Sequence, residues 1–168
     1  MKKIIMLLVI VLLFVGCRNG ENTAGPVNNG EEQQSKGFEF VYNGITIRMY
    51  DEASQILEGL GEEVDYFEAE SCAFQGMDKI YTYGPFELHT HEIDGIDHVS
   101  SIIFLDDSIS TKEGIYLFSS LDEVLQAYGD NYTEEHGLYT YEMGNSKLLI
   151  LIEDDEVVSI EYMAKTEQ

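Results

Sequence analysis

Basic side chains are scarce in this 168-residue chain: nine Lys and Arg stand against 32 Asp and Glu, a net charge of −23. That imbalance excludes nucleic acid as a natural partner and opposes direct docking on anionic lipid. Tryptophan is absent and there are two cysteines, Cys17 and Cys72. A disulfide-rich scaffold is therefore excluded. Catalytic strings are missing too. Gly144-Asn145-Ser146-Lys147-Leu148 fails as Gly-x-Ser-x-Gly at its last position. There is no His-Glu-x-x-His, Cys-x-x-Cys, phosphate-cradling Gly-Lys-Ser/Thr or complete EF-hand loop. The sequence offers no catalytic residue and implies no cofactor, so the expectation is a protein that is not an enzyme.

What is present begins with an address. Lys2 and Lys3 precede an unbroken apolar run, Ile4 to Val15, the layout of a secretory signal. Twelve apolar residues rise only about 18 Å as a helix, short of the roughly 30 Å hydrocarbon core. Phe14-Val15-Gly16-Cys17 resembles the bacterial lipobox, with Phe14 in place of the commoner leucine. The resemblance implies cleavage after Gly16 and acylation, palmitate included, of Cys17 as the new N-terminus. The competing reading is an uncleaved anchor followed by an ordinary buried cysteine. Two or three acyl chains would supply the multiple signals that stable anchoring needs.

Residues 1–16 thus read as a lipoprotein signal peptide and residues 17–37 as a lipidated tether. Arg18 to Gly37 carries only Ala24 and Val27 as apolar relief, too little to offset its ordering entropy. Such a tether reaches about 25 Å. Removing the leader takes two lysines and no acid, which leaves seven basic against 32 acidic side chains, or −25. This acidity serves solubility near an anionic envelope; its sharper reading is a basic partner or bound cations. Cys72 sits in Ser71-Cys72-Ala73-Phe74, the small, apolar company of a buried thiol. A reactive thiol would need a basic neighbour.

The globular part, residues 38–163 ahead of a 164–168 tail, shows self-similarity. Ile80-Tyr81-Thr82-Tyr83 matches Leu138-Tyr139-Thr140-Tyr141, and Val99, Ser101, Ile102 and Phe104 fall on Val157, Ser159, Ile160 and Tyr162. Upstream, Ile56-Leu57-Glu58-Gly59-Leu60-Gly61 parallels Val124-Leu125-Gln126-Ala127-Tyr128-Gly129, and Gly44-Ile45-Thr46-Ile47 parallels Gly114-Ile115-Tyr116-Leu117. Two units follow, about 38–106 and 110–163, each an extended entry, a helix and three strands. Ser120-Leu121-Asp122-Glu123 reads as a capping box with Gly129 as the stop; in the first unit Asp51 can cap and Gly61 stop. Asn43-Gly44, Asp94-Gly95 and the acidic Glu153–Glu156 stretch signal hairpins. The fold class expected is α+β, two tandem helix-plus-antiparallel-sheet units. The pattern resembles the β-lactamase-inhibitor-protein-like fold, also found in small envelope lipoproteins. That resemblance implies a binding or scaffolding surface and carries no contact residue with it.

Three features remain as sites. Tyr81 and Tyr83 share one strand face, as do Tyr139 and Tyr141. They can anchor a partner on an open sheet face or cover the helices as amphipathic core. His89 and His91 share a face as well. A two-residue Asp94-Gly95 turn would set His91 opposite His98 and assemble a zinc or copper site. A three-residue loop instead pairs Leu88 with Ile102 and Phe86 with Phe104, burying a consistent apolar face and sending His98 to the other side; this register is the one expected. Asp106-Asp107 and Asp154-Asp155 read as solvated turns, or as weak calcium ligands. The reading as a whole is a cell-membrane lipoprotein on the extracytoplasmic face, lipid-anchored at Cys17, that binds a protein or envelope component. The alternative is a zinc- or calcium-binding envelope lipoprotein.

Overall fold

Asn43 and Gly44, both at positive φ (49° and 82°), close the first hairpin, β1 (Glu39–Tyr42) on β2 (Ile45–Arg48). This is the turn geometry that Asn-Gly favours between twisted strands. A computed structural model describes residues 37–71 and 76–165. The leader, Cys17, nearly all of the tether, Cys72 and the last three residues lie outside the described residues. After the hairpin come α1 (Ala53–Leu60), β3 (Asp65–Glu70), β4 (Met77–Tyr83), β5 (Phe86–Ile93) and β6 (Ile96–Phe104). A long connection then leads to α2 (Leu121–Tyr128), β7 (Tyr132–Glu135), β8 (Leu138–Met143), β9 (Ser146–Glu153) and β10 (Glu156–Ala164). Among the described residues no helix is long and apolar enough to cross a membrane.

The last eight strands form one antiparallel sheet in the order β3-β4-β5-β6-β10-β9-β8-β7. Its two four-strand runs meet where Ser101, Ile102 and Ile103 pair with Met163, Tyr162 and Glu161. The expected α+β class of helix-plus-sheet repeat units is therefore corrected. Among the described residues the fold is mostly antiparallel sheet, 54% strand and 13% helix, because each helix is only eight residues long. Each run also holds four strands where three were expected. The missed strands, β3 and β7, lie at the two edges of the sheet and bury almost nothing, so they carry no alternation of apolar and polar residues to read.

Helices this short are marginal in isolation and form here against the sheet. In α2 the Ser120 hydroxyl accepts from the Glu123 N–H and the Glu123 carboxylate accepts from the Ser120 N–H (2.8 Å). Asp51 does not cap α1. Glu52 holds the N-cap position without a side-chain bond, and Asp51 accepts from the Arg48 N–H instead (3.1 Å). Nor do residues 115–117 repeat β2. They form no strand, although Ile115 and Leu117 are buried.

One face of the large sheet is roofed. Ala53 and Ile56 of α1, Val124 of α2 and Phe40 and Ile47 of the β1–β2 hairpin are buried. Most of them form one cluster with Phe86, Leu88, Ile102 and Phe104 of the first run and Leu148, Ile150, Ile160 and Tyr162 of the second. The Phe40 ring lies 5.2 Å from Phe86 and 5.3 Å from Phe104. Glu39 of the hairpin pairs with Arg48 across it and with Lys112 of the long connection, and these two cations hold its carboxyl down at about 2.

Candidate functional site

Side chains alternate across a strand, so roofing one face leaves the residues between the core positions on the other. In β5, Phe86, Leu88 and Thr90 point inward and are buried, while Glu87, His89 and His91 point away and stay half-exposed. The same alternation in β9 buries Leu148 and Ile150 and leaves Leu149 and Leu151 half-exposed.

The registers connect these outward positions into rows. One row crosses all eight strands as Asp65, Thr82, Glu87, Ile103, Glu161, Leu149, Thr140 and Thr133. Its neighbour runs Phe67, Ile80, His89, Ser101, Met163, Lys147 and Glu142. Leu151 lies beside Leu138 in a third. The outer face is thus an apolar band, Ile80, Ile103, Leu149, Leu151 and Leu138, interrupted by carboxylates. Glu161 accepts from the Ser101 hydroxyl (2.6 Å), and Glu87 meets the His89 imidazole (3.0 Å). At the far side Phe67 is 60% exposed.

The histidine expectation is corrected by a β-bulge. The turn is the two-residue Asp94-Gly95, which pairs Ile93 with Ile96 and His91 with His98. Farther along the same hairpin Leu88 faces Ile102 and Phe86 faces Phe104. Both registers hold because the pairing shifts between Val99 and Ser101, where Ser100 is the extra residue. His98 therefore shares the face of His89 and His91. Burial pushes the His91 imidazole below its ordinary pKa and His98 adds to this, against the pull of Asp78. His98 Nδ1 meets the Ile96 carbonyl oxygen (2.9 Å). Among the described residues no group of three or more His, Cys, Asp or Glu is arranged to hold a metal ion. Of the acidic pairs, Asp154 and Asp155 form the β9–β10 turn and Asp106 accepts from the Ser108 backbone and hydroxyl.

The chain matches no protein-family model, no curated protein and no solved structure.

The four tyrosines fall on the roofed face. Tyr83 and Tyr141 are buried, their hydroxyls donating to the carbonyls of the helix-ending Gly61 (3.5 Å) and Gly129 (3.3 Å). Burial pushes the Tyr141 hydroxyl up to about 12. Tyr81 and Tyr139 lie farther out on the same face and stack toward Tyr66 and Tyr132. The residues that do lie open, Ile103, Leu149, Leu151 and Phe67, were not singled out in the sequence. A signal existed. Leu148-Leu149-Ile150-Leu151-Ile152 is continuously apolar, which marks a strand covered on both faces, yet the described residues bury only one.

Two aromatic residues at positive φ flank the central strands. Tyr50 (69°) donates its N–H to Val99, and Phe118 (78°) donates to Val157, both at 2.8 Å. The Tyr50 ring meets His91 edge-on at 6.2 Å, whereas Phe118 is 60% exposed.

Proposed function

We propose that this chain is a lipid-anchored extracytoplasmic lipoprotein, moored at Cys17, that works as a non-enzymatic binding module. Its docking surface is the unroofed face of the eight-stranded sheet. The observation that carries the reading is the contrast within single strands. Leu148 and Ile150 are fully buried while Leu149 between them is left for another surface to cover. Leu149, Leu151 and Leu138 adjoin one another on that face, and adjoining apolar side chains left uncovered mark interaction sites on soluble domains. The anchoring half of the proposal rests on the lipobox resemblance and the apolar leader.

Photocrosslinking in intact cells tests the reading. With a benzophenone side chain at position 103 or 149, irradiation yields a discrete adduct to an envelope protein; at position 58 on α1, on the roofed side, it yields none. Equal capture from both sides refutes the docking face. Labelled palmitate that persists in Cys17→Ala refutes the anchor.

A further inference from the structure

The open face is apolar, but its charges are not balanced. Lys147 and Lys165 both turn to Glu142 (3.4 and 2.8 Å). Lys79 pairs with Asp97 on the roofed face. At the centre of the open face Glu87 and Glu161 stand on either side of Ile103, on β5, β6 and β10. Adjacent strands are about 4.8 Å apart, so the backbone positions of Glu87 and Glu161 stand about 10 Å apart with an apolar side chain between them. Glu87 meets the His89 imidazole and Glu161 the Ser101 hydroxyl, and neither meets a lysine or arginine among the described residues. Asp65 continues the same row toward one edge, and Leu149 continues the apolar line from Glu161.

A surface with this alternation selects its occupant by charge. A second copy would bring its own carboxylates against Glu87 and Glu161, and like charges placed opposite one another oppose association. An anionic lipid surface meets the same repulsion. An uncharged apolar partner would bury both carboxylates with only an imidazole and a hydroxyl beside them. We propose that the occupant is a cationic amphipathic segment of a partner protein. Its apolar side chains cover Ile103 and Leu149, and its basic groups meet Glu87 and Glu161. This rests on the docking reading above and names the partner's chemistry.

The test uses the full chain in phosphatidylcholine nanodiscs, with empty discs as blank. The probes are two fluorescein-labelled fourteen-residue peptides of equal charge, one alternating leucine and lysine, the other serine and lysine. The leucine peptide binds at least about tenfold tighter than the serine peptide. Ile103→Ser with Leu149→Ser removes that difference. Glu87→Gln with Glu161→Gln weakens both peptides about tenfold, while Glu58→Gln with Asp122→Asn, an equal charge change on the helix side, alters neither by more than about twofold. Thermal melts within a few degrees of the parent show that each pair folds. Equal weakening by the two neutralising pairs overturns the proposal in favour of bulk charge. Failure of both peptides to bind, with capture from position 103 intact, overturns the cationic partner and leaves the docking face standing. Capture of a second copy of the chain overturns it as well. Loss of capture at position 103 removes the docking reading with it.

Discussion

Leu148 and Leu149 are chemically identical neighbours on β9, and the fold assigns them opposite fates. Leu148 is completely buried, in register with Tyr162 and Tyr141. Leu149 faces Glu161 and Thr140 on the open side and stays half-exposed. Truncating each to alanine removes the same atoms from neighbouring positions of one strand, so the difference between the two reports packing and burial on the two faces. At Leu148 the loss is transfer plus an unfilled cavity, about 3 kcal/mol. At Leu149 solvent reaches the gap and the loss is about 1 kcal/mol. For a domain of this size those values correspond to drops in Tm of about 12 °C and about 4 °C. Urea denaturation followed by circular dichroism measures both. The binding readout should run the other way, with Leu149→Ala weakening capture of a partner and Leu148→Ala sparing it below its own transition. Equal destabilisation by the two substitutions would refute the assignment of a roofed and an open face.

Three further perturbations test the frame that holds this face in place. Ser120→Ala removes the hydroxyl half of the α2 capping box, leaving the Ser120 N–H on the Glu123 carboxylate, and should cost about 1 kcal/mol in urea titrations; no loss would mean that α2 does not depend on the side-chain cap. Gly137→Ala puts a Cβ 2.6 Å from the Ile152 carbonyl oxygen at a φ of +85°, and a loss of about 2 kcal/mol or more is expected; a neutral result would show that the β7–β8 turn readjusts freely. His91 has a folded pKa below its unfolded 6.5, so the unfolded chain takes up its proton first as pH falls. Stability contributed by neutral His91 is complete above 6.5 and is lost as pH drops from there toward the lowered folded value. His91→Gln should flatten the stability curve across that window, with Asp78, His98 and Tyr50 left in place around the site. An unchanged slope would assign the dependence to other groups.

Local signals in the sequence carried as far as the turns and one helix. Asn43-Gly44 and Asp94-Gly95 close hairpins because each dipeptide accepts positive φ at both positions. Ser120 and Glu123 cap α2 as their spacing requires. What local signals could not carry was the proportion of sheet. β3 and β7 are rich in acidic residues, as in Asp65-Tyr66-Phe67-Glu68-Ala69-Glu70, and form because a neighbour supplies a ladder, not because a buried face demands a pattern. Asp51 misled for a related reason: a good capping residue one position too early found the Arg48 N–H before it could reach the helix. The hairpin register was legible only as a choice between two consistent pairings. A single bulged residue, Ser100, lets both stand, and nothing in a one-dimensional pattern announces where a ladder will skip.

The open face was hidden by a comparable ambiguity, since a continuously apolar strand such as Leu148–Ile152 does not say which of its two sides the fold itself will cover. Three other uses of that surface are closed by the chain's own residues. The edges repel other copies, with Asp65, Glu68 and Glu70 along β3 and Glu134 and Glu135 on β7, the arrangement that keeps free strands from pairing. The tyrosine rows are taken up by the roof, Tyr83 and Tyr141 bonded to the helix ends. The chain's own lysines near the face are drawn to Glu142. Apolar side chains left half-covered between carboxylates that meet only an imidazole and a hydroxyl then ask for a partner that brings both hydrocarbon and positive charge. A net charge of −23 adds a long-range attraction that speeds the encounter with such a partner, and that falls as salt rises.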